Sequence, residues 1–219
     1  MASRLGIVAA LAIAVASCLA GSARTAPAAH APLYTVLVDP RLCPSPLCGG
    51  YWVALANGVR TTCADGMRRP RCYVAKAVDV DRREVDVGVP NDALVRGHLE
   101  TFVIESATFG LLVTEDVYAP AGKAVVTGGY YRIVDTGVRC IRAPCFSFRV
   151  TQMNGSTRTF TSSVDLGSAA ATKGELARAN AALRTKNGLF ARGRFGTSPN
   201  GGRVFRASRL FLRATQPRA

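Results

Sequence analysis

Along most of the chain, apolar and polar residues alternate with the two-residue period of a half-buried strand. Tyr34-Thr-Val-Leu-Val38 is the first such run, rich in β-branched residues, and Asp39-Pro40 ends it. Tyr51 to Ala56 predicts the next strand, and Asn57-Gly58 behind it is a hairpin signal. Arg60 to Cys63 begins a return strand, Ala64-Asp65-Gly66 turns, and Cys72 to Asp79 forms a further strand. Leu99 to Glu105 and Leu111 to Tyr118 predict two more, with a turn at Phe109-Gly110. Arg158 to Val164 is Thr-rich and strand-like. Val204 to Arg213 fits a strand, although Val204, Ala207, Leu210 and Phe211 also suit a helix. One segment carries a helical signature: Thr172-Lys-Gly-Glu175 is a capping box, Leu176, Ala179 and Leu183 form an apolar stripe, and Asn187-Gly188 ends it.

A pattern recurs within these runs. Cys43-Pro-Ser-Pro-Leu-Cys48 with Tyr51, Val53 and Asn57-Gly58 returns as Cys140-Ile-Arg-Ala-Pro-Cys145 with Phe148, Val150 and Asn154-Gly155, at an offset of 97 residues. Tyr34 and Tyr131 keep that offset, and Leu94-Val-Arg-Gly97 resembles Phe190-Ala-Arg-Gly193 at offset 96. These matches predict a tandem duplication. They also decide Val204–Arg213 as a strand, because its counterpart at 111–118 has a β pattern. The copies set a register too. Phe146, Phe148 and Val150 alternate with Ser147, Arg149 and Thr151, so the first set faces the core. By alignment Tyr51 and Val53 face inward and Trp52, the one tryptophan of the chain, faces outward. An outward Trp52 is either packed under a loop or a contact for a partner.

The expected fold is therefore mostly β: two tandem homologous units, each a small antiparallel sheet or partly closed barrel, with one helix in the second. The alternative is α+β. Residues 33–119 make the first β unit, 119–123 link, and 124–215 make the second. Before them, Arg4 and the apolar run Leu5 to Ser17 read as a signal peptide over residues 1–17, too short to span a bilayer. It ends Val15-Ala16-Ser17-Cys18, a lipobox-like sequence that makes Cys18 a candidate for lipidation and so for attachment to a membrane surface. Residues 18–32, Ala- and Pro-rich without apolar period, read as a flexible tether. The expected location is the cell envelope, as an outer-membrane or periplasmic lipoprotein. The alternative is full secretion, with cleavage after Ala23 or Ala31.

Seven cysteines become six without Cys18, and an exported chain with six suggests three disulfides. The second copy keeps counterparts of Cys43 and Cys48 but none of Cys63 and Cys72, with Phe160 where Cys63 would recur. Cysteines kept or missing together are expected to be bonded together, which pairs Cys43 with Cys48, Cys63 with Cys72 and Cys140 with Cys145. Zinc is disfavoured, because residues 33–215 hold a single histidine, His98. Asp79, Asp81, Glu84 and Asp86 lack the ligand order and central glycine of a calcium loop. No metal and no cofactor is expected.

The formal charge is +14, and only four of the 28 basic residues are lysines. From Ala170 to Ala219 there are eleven basic residues and one acid, Glu175, a balance of +10. Arg192, Arg194, Arg203, Arg206, Arg209 and Arg213 are the candidate anion-binding face, suited to lipid head groups or an acidic envelope polymer. An exported chain does not meet nucleic acid, so none is expected as partner.

Catalytic constellations are sparse. There is no G-x-S-x-G, P-loop or G-x-G-x-x-G. A hydrolase would have to gather His98 with carboxylates such as Glu100, Glu105, Glu115 and Asp116, and no catalytic residue is assigned. Cys43-x-x-Pro-x-Cys-Gly-Gly-Tyr-Trp-Val53, Thr62-Cys-Ala-Asp-Gly66 and Cys72-Tyr-Val-Ala75 together resemble an uncharacterised family of secreted or lipid-anchored bacterial proteins, a domain of unknown function. The resemblance covers the first repeat; the second has Phe146-Ser147 in place of Gly49-Gly50 and no second cysteine pair. It implies export and disulfides and carries no catalytic residues. The expected function is a non-enzymatic binding or structural module of the envelope. Alternatives are a hydrolase inhibitor using the Cys43–Cys48 loop as a rigid wedge and, behind it, a secreted hydrolase.

Overall fold

The computed structural model of the protein describes residues 31–88, 91–199 and 201–214. The signal segment, Cys18 and the tether up to residue 30 lie outside the described residues. Among the described residues the fold is mostly β with one α-helix. Its first strands are β1 (Leu33–Val38), β2 (Tyr51–Leu55), β3 (Thr61–Thr62), β4 (Arg68–Arg69), β5 (Cys72–Val74) and β6 (Lys76–Asp79). Two long strands follow, β7 (Ala93–Ile104) and β8 (Ala107–Ala121). Then come β9 (Gly129–Asp135), β10 (Phe148–Gln152), β11 (Arg158–Thr161), β12 (Ser163–Asp165), helix α1 (Lys173–Leu183), β13 (Leu189–Thr197) and β14 (Arg203–Arg213).

Ten strands form one antiparallel path, β11-β10-β9-β13-β14-β8-β7-β1-β2-β5, open at both ends. No barrel closes. On either side of the β8–β14 junction the order repeats, β8-β7-β1-β2-β5 and β14-β13-β9-β10-β11. Short β6 adds in parallel to β8, and short β12 in parallel to β14. The two expected units thus share a single sheet, and the described residues form one compact unit. The join uses a segment that the sequence marks as linker. Ala119 to Ala121 belong to β8 and pair with Leu212 to Leu210 of β14. Pairing there satisfies backbone groups that two separate sheets would leave as bare edges.

Both long hairpins carry a bulge at an Arg-Gly pair, Arg96/Gly97 against β8 and Arg192/Gly193 against β14. Glycine is required at each. A Cβ on Gly97 would fall 2.0 Å from the Val113 carbonyl oxygen, and one on Gly193 2.2 Å from that of Arg206.

Four local expectations are corrected. Phe109-Gly110 is not a turn; it lies inside β8, and the hairpin turns at Glu105-Ser106, with Glu105 at φ 56°. Gly110 is there because β5 crosses close by, its Tyr73 carbonyl 2.7 Å from where a Cβ would stand. The run from Cys72 to Asp79 splits at Ala75 into β5, paired with β2, and β6, paired with β8. Thr61-Thr62 does not return against β2 but pairs with Arg68-Arg69 in a separate two-stranded sheet. The Arg158–Val164 run likewise divides, into β11 on β10 and β12 on β14.

The core has three main parts. One lies under α1 and gathers Ile133, Val150, Ala179, Leu183, Leu189, Phe205 and Leu210. A second holds Tyr34, Val36, Val53, Val74, Val95 and Leu112. The third, Leu33, Ala56, Leu94, Tyr118, Met153, Phe190 and Phe211 with Tyr130 against it, draws on both halves of the chain. Helix α1 starts at the expected capping box: the Glu175 N–H donates to Thr172 Oγ1 (3.3 Å) and the Thr172 N–H to Glu175 Oε2 (2.7 Å). Ala179 and Leu183 of its stripe are buried.

Two asparagines clamp the halves to each other. Asn57, at φ 63°, donates from Nδ2 to the carbonyls of Tyr130 (2.7 Å) and Met153 (3.2 Å), and its Oδ1 accepts from the Tyr130 N–H (2.8 Å). Asn154, at φ 53°, donates to the carbonyls of Leu33 (2.7 Å) and Ala56 (2.9 Å) and accepts from the Leu33 N–H (2.9 Å). Each Asn-Gly thus caps the first strand of the other half. The left-handed backbone that makes Asn-Gly a turn signal also aims the amide sideways.

Candidate anion-binding face

Of the six arginines marked by the sequence, four are brought together in cross-strand pairs. Arg192 of β13 lies directly opposite Arg209 of β14, and Arg194 directly opposite Arg206. The bulge after Arg192 keeps both pairs on one face despite the odd spacing of Arg206 and Arg209. Arg203 lies opposite Thr197, three residues before Arg206, so strand alternation sends it to the other face. Arg213 is drawn away into an ion pair with Asp116.

Like charges directly opposite on neighbouring strands destabilise a sheet by a few tenths of a kcal/mol. The first half of the sheet avoids this. At its bulge Arg96 faces Asp116, 3.6 Å away, and at the next position His98 faces Val113. In the second half the inner pair is steadied by the chain. Arg192 Nε donates to the Gly128 carbonyl (2.9 Å), its guanidinium stands 4.9 Å from the Tyr130 ring centre, and Arg209 reaches the Ala124 carbonyl (3.5 Å). Arg209 Nε is buried with no hydrogen-bond partner among the described residues. Asp92 stands close enough to feel both; its burial raises its pKa while Arg192 and Arg209 pull it down. The outer pair, Arg194 and Arg206, is exposed. Arg206 has Asp165 of β12 on its other side. Four guanidiniums against the two carboxylates Asp92 and Asp165 leave a local balance of +2.

Positive charge continues across the sheet. Arg132 of β9 is pulled below its ordinary pKa, first by burial and then by neighbouring Arg149 and Arg96. Its guanidinium donates to the carbonyls of Lys186 (2.5 Å) and Asn187 (2.8 Å). Sequence reasoning did not single out Tyr130, Asp92 or Asp165. Their place beside the arginines follows from register between segments about 40 to 120 residues apart, and no local signal marks it.

Trp52 lies on the outer face, as the register implies, but the chain itself covers it. Its Nε1 donates to Asp39 (3.2 Å), and the Tyr73 ring meets it edge-on at 5.5 Å. Arg41 and Arg71 place guanidiniums 5.2 and 4.7 Å from its ring centre. Asp39 has no exposed side-chain surface, and hydrogen bonding from Arg41 is the main reason its pKa lies below the ordinary value. The Cys43–Cys48 loop is tied back over this group. Tyr73 Oη donates to the Pro46 carbonyl (2.9 Å) and Arg41 to that of Leu47 (3.0 Å).

The structure joins Cys43 to Cys48, Cys63 to Cys72 and Cys140 to Cys145. Three disulfides are consistent with an extracellular or exported protein. No helix among the described residues is long and apolar enough to cross a membrane.

His98 and Glu100 do meet, with Nε2 and Oε1 2.8 Å apart, on the surface. Glu100 is taken up by Arg82 (2.6 and 3.3 Å), which with His98 lowers its pKa to about 2. Glu115 is the extra residue of the bulge on β8, four positions along that strand from Leu111, the partner of Glu100. That spacing is about 13 Å. Asp116 is held by Arg96 and Arg213. Asp79 closes a turn, accepting from the N–H groups of Asp81 and Arg83. Among the described residues no three His, Cys, Asp or Glu side chains cluster as a metal site would need. An open cleft of about 390 Å³ runs between α1 and the sheet, lined by Tyr118, Phe211, Leu212, Ala181, Arg178 and Arg213 among others, and none of its lining residues is acidic.

No curated protein and no solved structure matches the chain. A family match does cover residues 32–217, nearly the whole described unit and both halves of the sheet. The chain belongs to the family described as a domain of unknown function, DUF6748.

Proposed function

We propose that the protein is an exported, non-enzymatic envelope module that binds an anionic polymer through the arginine ladder of β13 and β14. The observation that carries this is the exposed like-charge pair Arg194–Arg206 stacked on Arg192–Arg209. The corresponding first-half positions hold an ion pair and a His–Val pair. A repulsive arrangement that the same sheet avoids elsewhere is accounted for by a polyanion that relieves it. The leader-like segment and the three disulfides fit an oxidising location, where acidic polysaccharides rather than nucleic acids are the available polyanions.

Heparin serves as a probe polyanion. The protein is expected to be retained at low salt and released as salt screens the contact. Arg194→Gln with Arg206→Gln should shift elution to clearly lower salt, because both side chains are exposed and removing them leaves the fold intact. Leu42→Asp, beside the Cys43–Cys48 loop, should not. Absence of retention at low salt, or equal retention of the double variant, rules the reading out.

A further inference from the structure

The Cys140–Cys145 loop joins β9 to β10 and is braced at its base. Arg139 holds Asp135 through two hydrogen bonds (3.0 and 2.9 Å), and the Thr136 N–H donates to the Ser147 carbonyl (2.8 Å). On this loop Ile141 is 104% exposed and Val138 is exposed; Phe146, which the alternation turns toward the core, is exposed as well, and Ser147 is buried in its stead. Phe160 of edge strand β11 is exposed directly opposite Arg149. No acidic residue occurs between Asp135 and Asp165, whereas Arg139, Arg142, Arg149 and Arg158 do. Of these four, Arg139 is the one ion-paired among the described residues.

The corresponding loop of the first half is a built-in contrast. Leu42 is 102% exposed there, but over the equivalent residues 39–67 two arginines, Arg41 and Arg60, balance two aspartates, Asp39 and Asp65. The two loops cannot work on one flat surface. Five antiparallel steps, β9-β13-β14-β8-β7-β1, separate their strands, so β9 and β1 run in opposite directions and their loops leave opposite edges of the sheet.

We infer that the Cys140–Cys145 end docks the protein on an anionic lipid surface. Ile141 and Phe146 enter the acyl boundary, while Arg142, Arg149 and Arg158 meet head-group phosphates. Exposed apolar side chains contribute nothing toward a hydrated polymer, and arginines contribute little toward a neutral apolar partner. The two together match an interface that is apolar inside and negatively charged outside. This site is separate from the β13–β14 ladder.

The test is flotation of the compact unit that begins at Ala31, without the apolar leader and Cys18, with phosphatidylglycerol-containing and phosphatidylcholine-only vesicles. Binding is expected to the anionic vesicles only. Ile141→Asp with Phe146→Ser should weaken it about tenfold or more, and Leu42→Asp should leave it unchanged. An unchanged denaturation midpoint by tryptophan fluorescence shows that the loop variant is folded; Ile141→Ser is a milder second variant with a smaller loss in the same direction. Failure of the parent to bind, equal binding to both vesicle types, or full binding by both loop variants overturns the inference. So does loss on Arg194→Gln/Arg206→Gln but not on the loop variants, since the ladder would then be the lipid site. Vesicle binding without heparin retention would sink the polymer reading alone.

Discussion

Removing either interlocking asparagine should test whether the two halves are one cooperative structure. Asn57 and Asn154 each make three hydrogen bonds to the backbone of the opposite half. At a net value of about 1 kcal/mol per bond, Asn57→Gly should cost about 3 kcal/mol, and Asn154→Gly about the same. Glycine tolerates the positive φ of these sites, so no backbone strain is added to the loss of the bonds. Alanine adds the left-handed backbone penalty, and Asn57→Ala should cost about 4–5 kcal/mol. The assay is guanidinium denaturation of the oxidised chain, followed by tryptophan fluorescence and far-UV circular dichroism. Both probes should give one coincident transition, with the midpoint lowered and the slope unchanged. A cost below about 0.5 kcal/mol for Asn57→Gly would show that the clamp is incidental. Two resolved transitions in the parent would show that the halves unfold separately.

Two further outcomes are expected. Thr172→Ala removes the cap of α1 and should destabilise by about 1 kcal/mol, seen as a lower thermal midpoint; no change would mean that packing of Ala179 and Leu183 alone holds the helix start. Stability should also fall at both ends of the pH scale. Glu100 (pKa about 2, ordinarily 4.5), with Asp39, Asp135 and Glu175 also lowered by their partners, binds protons more weakly folded than unfolded. That contribution is present above about pH 4.5 and is lost as pH drops toward 2. Tyr51 is pushed up from 10.0 to about 12, chiefly by burial, so its contribution is full below pH 10 and lost as pH rises toward 12. Thermal midpoints that stay flat from pH 5 to pH 3 would show these ion pairs to be screened out by solvent.

What the sequence determined by itself is local. The capping box of α1, the strand character of most runs and the left-handed Asn57 and Asn154 all depend on a few neighbouring residues and on backbone sterics. The disulfide pairing was legible from comparison of the two repeats, because Cys43 with Cys48 recurs as a pair and Cys63 with Cys72 is missing as a pair. Tertiary structure decided the rest. Whether Ala119–Ala121 is linker or strand depends on β14, some 90 residues away. The split at Ala75 depends on two different neighbours, β2 and β8. Trp52 was read correctly as outward, but Arg41, Tyr73 and Arg71, which cover it, come from other segments. The arginines were visible as a count of charges. Only the register of β13 on β14, with its bulge, turns four of them into opposed pairs and sends Arg203 and Arg213 elsewhere. Strand pairing is non-local, and a single strand's pattern says which face is apolar but not which neighbour will lie beside it.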